Sequence, residues 1–247
     1  MQNIINYTNA KLIKLSSGDY MDITEMGDKL QDLLSLKYPA VAVKLVKSKE
    51  EIPEGYEEVE SEARHCELVQ TSRKEGKKYY APVEKQMCKG GAYAMGILQN
   101  PPKALETGVL YHKLGNFETE EAAIKTINAI PKVKEPMFAA VYSPVNSVDF
   151  EPDAIIVLCT PKQALRLTQA INYVEGGRFE ADFSGIQSLC ADAVAAVKMR
   201  GKANATLACN GSRKYGEIEA DELIFSFPPK DLENVIKALE HFKEIWG

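Results

Sequence analysis

The amino-acid sequence predicts an α/β or α+β fold, in which one mixed β-sheet is layered with helices in a single domain. Short apolar segments of strand length alternate with amphipathic segments of helix length, most clearly in the C-terminal half. The 247 residues are enough to bury a full core, and no repeat, low-complexity tract or long Gly/Ser/Pro linker divides them. We therefore expect a single α/β domain over residues 21–247, preceded by a peripheral extension over residues 1–20.

The first half of the chain is expected to be mainly helical, with one clear strand. Apolar residues recur at helical spacing from Ile23 to Leu34, and Pro39 ends the pattern, which predicts a helix. The apolar, β-branched run at 40–46 predicts a buried strand, and the polar, acidic run at 47–60 predicts a surface loop. Further helices are expected at 64–75, 88–98, 103–113 and 119–129.

In the second half, strand and helix patterns alternate. Strands are expected at 138–143, 154–159, 178–182, 204–209 and 222–227. Helices are expected at 162–173, 186–199 and 230–245. Helices of that length between strands are typical of layered proteins, because each helix can bury its apolar side on a sheet face.

Charge and hydropathy narrow the range of partners. Lys and Arg number 30 against 35 Asp and Glu, so the formal net charge is −5 and no overall positive field favours nucleic acid or an anionic membrane. Apolar runs such as 154–159 are far shorter than the ~20 residues that cross a bilayer. The N-terminal segment lacks the pattern of a secretory signal, so we expect a cytoplasmic protein. A redox partner protein, a small-molecule ligand and a second copy of the chain stay open as partners.

Four of the five cysteines fall at or near the start of a predicted helix or at the end of a predicted strand: Cys66, Cys88, Cys190 and Cys209. Backbone N–H groups and the positive end of the helix dipole favour the thiolate, the form that binds metals or attacks. Because strand ends and helix starts often meet at one edge of an α/β sheet, these thiols could share a ligand site. Cys159 ends an apolar strand and is expected in the core.

Spacing alone leaves more than one role open for these cysteines. Free cysteine is often a small buried hydrophobe, and this is the favoured interpretation without further information. The absence of any CxxC pair argues against zinc ribbons, thioredoxin-like sites and bacterial ferredoxins. His65 could orient or join a site, and Arg178 and Arg213 are candidate anion contacts, while Tyr93 and Tyr215 are candidate pocket residues. No GxGxxG or GxxxxGK[ST] motif supports nucleotide binding.

Several segments resemble one known family. They are CKGGAYAMG at 88–96, the segment 160–177, the segment 184–195, and CNGSR at 209–213 with the DEL that begins at 221. The order of these segments and the residues in them, over residues 22 to 245, resemble the uncharacterised prokaryotic domain-of-unknown-function family 169. The resemblance implies no established reaction.

The resemblance changes the interpretation of the cysteines. The family pattern has cysteines at the positions of Cys66, Cys88, Cys190 and Cys209 but not of Cys159, and the family is frequent in anaerobes. Together these features imply a shared metal centre. Local CxxC knuckles are common in structural zinc sites, whereas cysteines spread over a whole domain can enclose a larger cluster, so we favour a [4Fe–4S] cluster, with zinc as the alternative.

In this hypothesis the cysteines ligate the cluster, and neighbouring residues assist them. Gly90, Gly91 and Gly211 bring backbone N–H groups toward the sulfurs, and Arg213 offsets the negative charge. With all four irons held by cysteine, electron transfer or an accessory role in handling a cofactor is favoured over Lewis-acid catalysis, which needs an open position. Competing hypotheses are a metal-free small-molecule-binding protein and an enzyme with a cysteine nucleophile.

Overall fold

The computed structural model describes residues 12–14 and 20–246. Strand β1 (Leu12–Lys14) pairs antiparallel with β2 (Tyr20–Asp22) in a small two-stranded sheet. The predicted extension over residues 1–20 lies otherwise outside the described residues, so its peripheral character stays a prediction.

The remaining elements of the first half follow in chain order. They are α1 (Ile23–Leu34), β3 (Val41–Val46), β4 (Glu57–Glu58), α2 (His65–Glu75), β5 (Tyr79–Pro82), α3 (Lys89–Ala94), α4 (Lys103–Thr107), α5 (Val109–Lys113) and α6 (Glu120–Ala129). The start of α1 follows from its sequence, because the Asp22 carboxylate accepts a hydrogen bond from the backbone N–H of Thr24 at 2.9 Å. The helix ends at Ser35, which adopts a left-handed conformation.

The second half alternates as expected. It contains β6 (Ala139–Pro144), β7 (Ala154–Cys159), α7 (Pro161–Glu175), a π-helix (Ser188–Ala195) that continues into α8 (Ala196–Arg200), β8 (Asn204–Thr206), α9 (Asn210–Tyr215), β9 (Leu223–Phe227) and α10 (Leu232–Trp246). At the start of α7, Thr160 and Gln163 form a capping box around Pro161 in the first turn.

Seven strands form one mixed sheet in the order β4-β5-β6-β3-β7-β9-β8. Only β4 and β5 pair in parallel among these neighbours. Strand β3 is central and pairs antiparallel with β6 from Val41–Pro144 to Val46–Ala139. The prediction of a mixed sheet layered with helices is confirmed.

Helices cover both faces of this sheet. Along β3, Ala42 and Val46 pack in a core layer with α1, α7 and α10. The alternate residues Val41, Val43 and Leu45 pack in a second layer with α2, α3 and the π-helix. A strand buried on both faces is apolar at nearly every position, which explains the apolar runs that predicted β3 and β7; the exception in β3 is Lys44, which is only partly buried.

Several expectations were wrong in detail, and among them is the strand at 204–209, of which only β8 (Asn204–Thr206) forms. No strand forms at 178–182; instead the side chain of Asn204 bonds the backbone N–H and carbonyl of Asp182, which replaces a strand ladder at that edge. Strands β4 and β5 were missed because one has two exposed acidic residues and the other ends in Pro82. The expected helices at 88–98 and 103–113 are shorter, the second being broken at Gly108.

Within the described residues, no helix combines the length and the apolar character that crossing a bilayer requires.

A buried ion pair ties α2 to the end of the sheet. Arg73 Nη2 lies 2.6 Å from Glu222 Oε1, and the side chains are 4% and 13% exposed. The same guanidinium also donates to the carbonyl of Leu158 and to the side chain of Gln70. Although burial raises the pKa of Glu222, the hydrogen bond and charge of Arg73 outweigh it and lower that pKa.

We expect Glu222→Gln to lower the free energy of unfolding by about 3 kcal/mol, because Arg73 would keep a buried charge without its partner. Denaturant unfolding at pH 7 measures this. Since the pKa of Glu222 is lower in the folded protein, its stabilisation is present above the unfolded pKa and is lost as pH falls through the folded pKa. The wild-type and variant curves should therefore converge in acid.

The matched control is Glu106→Gln, which removes the partner of Lys103 in an ion pair whose side chains are 46% and 81% exposed. Exposed pairs contribute about 0–1 kcal/mol, so little change is expected. Equal effects of the two substitutions would contradict the role assigned to the buried pair.

Candidate functional site

A cavity of about 260 Å³ opens between the elements that cover one face of the sheet. Its lining includes four cysteines from four different segments: Cys66 in the first turn of α2, Cys88 before α3, Cys190 in the π-helix and Cys209 before α9. Cys66 and Cys190 are buried, and Cys88 and Cys209 are half-buried. Cys159 is separate, since it packs with α1, α7 and α10 in the opposite core layer.

Two of the cysteines cap helices with their sulfur atoms. Cys88 Sγ accepts a hydrogen bond from the backbone N–H of Gly91 at 3.4 Å, and Cys209 Sγ accepts one from the N–H of Ser212 at 3.4 Å. Each sulfur therefore occupies the place that a serine or aspartate oxygen usually takes at an N-cap. This arrangement aims both side chains back over the start of their own helix and into the cavity.

Close packing brings the other two cysteines to the wall of the same cavity. A Cβ atom on Gly91 would lie 3.3 Å from Cys190 Sγ and 3.6 Å from Cys88 Sγ, so these two sulfurs flank the bare backbone of α3. Cys66 Sγ lies 3.9 Å from the carbonyl oxygen of Gly211 in α9. The absence of a side chain at Gly91 therefore leaves room for sulfur.

The electrostatics of the thiols differ from one to another. Burial, with smaller contributions from the charges of Cys209 and Cys88, raises the pKa of Cys66 to about 12, and burial also raises the pKa values of Cys88 and Cys190. Burial acts on Cys209 too, but hydrogen bonds from Ser212 and Ser188 outweigh it and lower the pKa of that thiol. The protein alone thus favours the thiolate form at Cys209 and disfavours it at the other three cysteines.

The separation of the side chains is too large for a single ion as they stand. Over residues 12–14 and 20–246, no three His, Cys, Asp or Glu side chains form a group that could hold a metal ion. A zinc site would place each sulfur about 2.3 Å from one ion. The cavity volume is also many times the ~10–15 Å³ that one water molecule requires, so it suits an occupant of several atoms.

His65 lines the cavity as a structural residue. It is 2% exposed, and its Nδ1 lies 2.8 Å from the hydroxyl of Tyr142 on β6. Burial lowers the pKa of His65 to about 4, which keeps the ring neutral near pH 7. Its contact with β6 holds the first turn of α2, and therefore Cys66, against the sheet.

The structure places the two predicted arginines elsewhere. The guanidinium of Arg213 donates to the carbonyls of Glu219, Leu207 and Glu222 at 2.7 to 2.9 Å, and Arg213 is not among the residues that line the cysteine cavity. Its predicted role as a counter-charge stays a prediction. Arg178 lines a different cavity, between α7 and the start of α10.

Of the two tyrosines expected near the cysteines, one lines the cavity. Tyr215 does so, and the guanidinium of Arg64 lies 3.6 Å from the centre of its ring. Tyr93 lines another cavity, near Lys132.

Sequence reasoning missed several lining residues. Tyr111 on α5 and Gln187 before the π-helix are joined by a 2.7 Å hydrogen bond, and no local motif relates them. Ser188, which is buried behind the cavity wall, was also missed; it accepts a 2.7 Å hydrogen bond from the N–H of Cys209. Ser212 could have been found, because Cys-x-x-Ser has the spacing of a helix N-cap and its third helical residue.

Comparisons with known proteins agree with the family resemblance. The family model DUF169, described as "Uncharacterised ArCR", matches residues 29–238. The chain is 58% identical over 228 residues to "Uncharacterized protein MJ0308" of Methanocaldococcus jannaschii, which covers 92% of this chain and 98% of that protein. No solved structure matches the chain significantly. The chain therefore belongs to the DUF169 family.

Proposed function

We propose that the protein binds a [4Fe–4S] cluster and acts in electron transfer or as an accessory in handling a cofactor. The ligands would be Cys66, Cys88, Cys190 and Cys209. The observation that supports this most is that four cysteines from separate segments line one cavity, whereas the fifth lies in the opposite core layer.

The donor set and the cavity fit such a group. Thiolates are the ligands that iron–sulfur clusters use, and a cubane places each of four thiolates on a different iron atom. Four sulfurs spread around a cavity of about 260 Å³ match that demand better than they match one zinc ion. Burial makes ionisation of Cys66 and Cys190 costly in the metal-free protein, and positively charged iron would offset that cost.

Each part of the site would have a distinct task. A bound cluster supplies one-electron storage. Cys66 and Cys190 would hold its buried side, and Cys88 and Cys209 its half-buried side. The N–H groups of Gly91 and Ser212, which already donate to two of the sulfurs, would disperse the negative charge of those ligands. The outer side, where Tyr215 is 39% exposed, offers the route for a redox partner.

We expect protein purified without oxygen to contain about four irons and matching sulfide per chain, with visible thiolate-to-iron charge-transfer absorption. Replacing any of the four cavity cysteines by alanine should lower bound iron at least twofold, because each thiolate holds a different iron. Iron, sulfide and zinc analysis on the same samples measures this.

Cys159→Ala is the matched control, since this thiol lies outside the cavity, and it should keep the wild-type iron content. If the analysis finds about one zinc per chain in place of iron, the site is a structural zinc site and not a cluster site. No metal after reconstitution would sink the proposal and favour a metal-free ligand pocket. Iron that survives all four cavity substitutions would show that the ligands are wrongly assigned.

In the metal-free protein, we expect iodoacetamide to modify Cys209 before Cys66, Cys88 and Cys190. Only the thiolate reacts, and Cys209 is the one cavity thiol whose pKa is lowered from its ordinary value. As pH rises, the Cys209 rate should therefore level off first, while the rate at Cys66 should still increase at pH 10. Peptide mass spectrometry gives the rate at each residue.

Ser212→Ala provides the comparison, because it removes the side-chain hydrogen bond to Cys209 Sγ at 3.3 Å. The pH profile of Cys209 should then move to higher pH. Faster modification of Cys66 or Cys190 than of Cys209 would contradict the assigned thiolate.

A further inference from the structure

We infer that the hydroxyl of Tyr111 donates a hydrogen bond into the cysteine cavity, to a sulfur of the bound centre, and that Gln187 positions it for this task. Hydrogen bonds to sulfur are among the main determinants of cluster reduction potential. The role of Tyr111 is thus to raise the reduction potential of the centre, an inference that rests on the proposed function.

The hydroxyl lies against α3, the helix that Cys88 precedes. Tyr111 on α5 lines the same cavity as the four cysteines. A Cβ atom on Gly90, two residues after Cys88, would lie only 2.6 Å from the Tyr111 oxygen. Any other residue at this position would push the hydroxyl away. The hydroxyl can therefore approach α3 this closely only because residue 90 has no side chain.

Gln187 donates a hydrogen bond to the Tyr111 oxygen, and the Tyr111 hydroxyl proton is left without an acceptor in the part of the chain that the structure describes. The Gln187 side-chain N–H donates to Tyr111 at 2.7 Å, so Tyr111 accepts in that bond. No acceptor for the Tyr111 proton is found among the described residues, whereas the cavity beside it contains the sulfurs. A hydroxyl that already accepts one hydrogen bond is a better donor of its own.

The backbone of Gln187 is held in place. It is 5% exposed and adopts a left-handed backbone conformation with φ of 55°, which is costly for a residue with a side chain. Its carbonyl accepts a 2.8 Å bond from Ala191 in the π-helix that carries Cys190. Backbone strain at this residue indicates that the surrounding structure fixes its backbone, and from this position the side-chain N–H reaches the Tyr111 hydroxyl.

The charge distribution agrees with this geometry. Burial raises the pKa of Tyr111, and negative charge at Cys190, Cys88 and Cys209 adds to the increase. The hydroxyl therefore stays protonated and faces the region where negative charge accumulates. Reduction adds one more negative charge to the centre, and a hydrogen-bond donor stabilises the reduced form more than the oxidised form.

The test compares the reduction potentials of iron-loaded wild type, Tyr111→Phe and Tyr93→Phe, followed by visible absorption during redox titration. Tyr93→Phe is the control, because it removes the same hydroxyl group from a tyrosine that lines a different cavity. We expect Tyr111→Phe to keep its iron and to shift the reduction equilibrium about tenfold toward the oxidised form, which corresponds to about 59 mV for a one-electron couple. Tyr93→Phe should leave the potential unchanged.

Gln187→Met gives a second, independent measurement. Methionine has a similar volume but no amide, so the Tyr111 hydroxyl loses the hydrogen bond that positions it. The reduction potential should therefore shift in the same direction as in Tyr111→Phe, by a smaller amount. This variant decides the question if Tyr111→Phe lowers the iron content.

The outcomes separate the inference from the proposed function. Full iron content with an unchanged potential in Tyr111→Phe would overturn the inference alone and would mean that the hydroxyl donates to Gln187 instead. Equal shifts in Tyr111→Phe and Tyr93→Phe would also overturn it. A wild-type protein without iron would remove the proposed function and the inference together, and iron analysis shows this before any potential is measured.

Discussion

Side-chain alternation along the buried central strands is the constraint on which the rest of the structure depends. Because β3 is paired on both edges and covered on both faces, neighbouring residues such as Val41 and Ala42 must enter different core layers. The same alternation in β7 sends Cys159 to the layer of α1, α7 and α10 and Leu158 to the layer that contains the cavity. A slip of one residue in register would exchange these layers.

The cavity is built where several helices begin above one of these layers. Helix starts present free N–H groups, and two of these groups already meet cysteine sulfur. Strained backbone accompanies the same region, since Gln187 and Ala208 have φ of 55° and 71° and precede the segments of Cys190 and Cys209. The π-helix around Cys190 is a further departure from regular geometry of the kind often found at functional sites. These departures from regular geometry are concentrated around the cavity.

Elements with a strong local pattern could be predicted from sequence, and those defined by a partner could not. The helix at Ile23–Leu34 and the strand at Ala154–Cys159 agree with their predicted bounds, because apolar periodicity and terminating residues are local properties. The strand expected at 178–182 does not form; three of its five residues are charged, and the Asn204 side chain takes the backbone N–H and carbonyl of Asp182 that a neighbouring strand would need. The two-residue strand β4 has no signal beyond its pairing with β5.

Residue types and their order were enough to predict the family, the fold class and the distinction between Cys159 and the other four cysteines. Only the tertiary structure decided that those four line one cavity, that Tyr111 and Gln187 join them, and that Arg213 is engaged by backbone carbonyls. The reason is physical: contacts between distant segments depend on strand order and helix placement, which no spacing along the chain records.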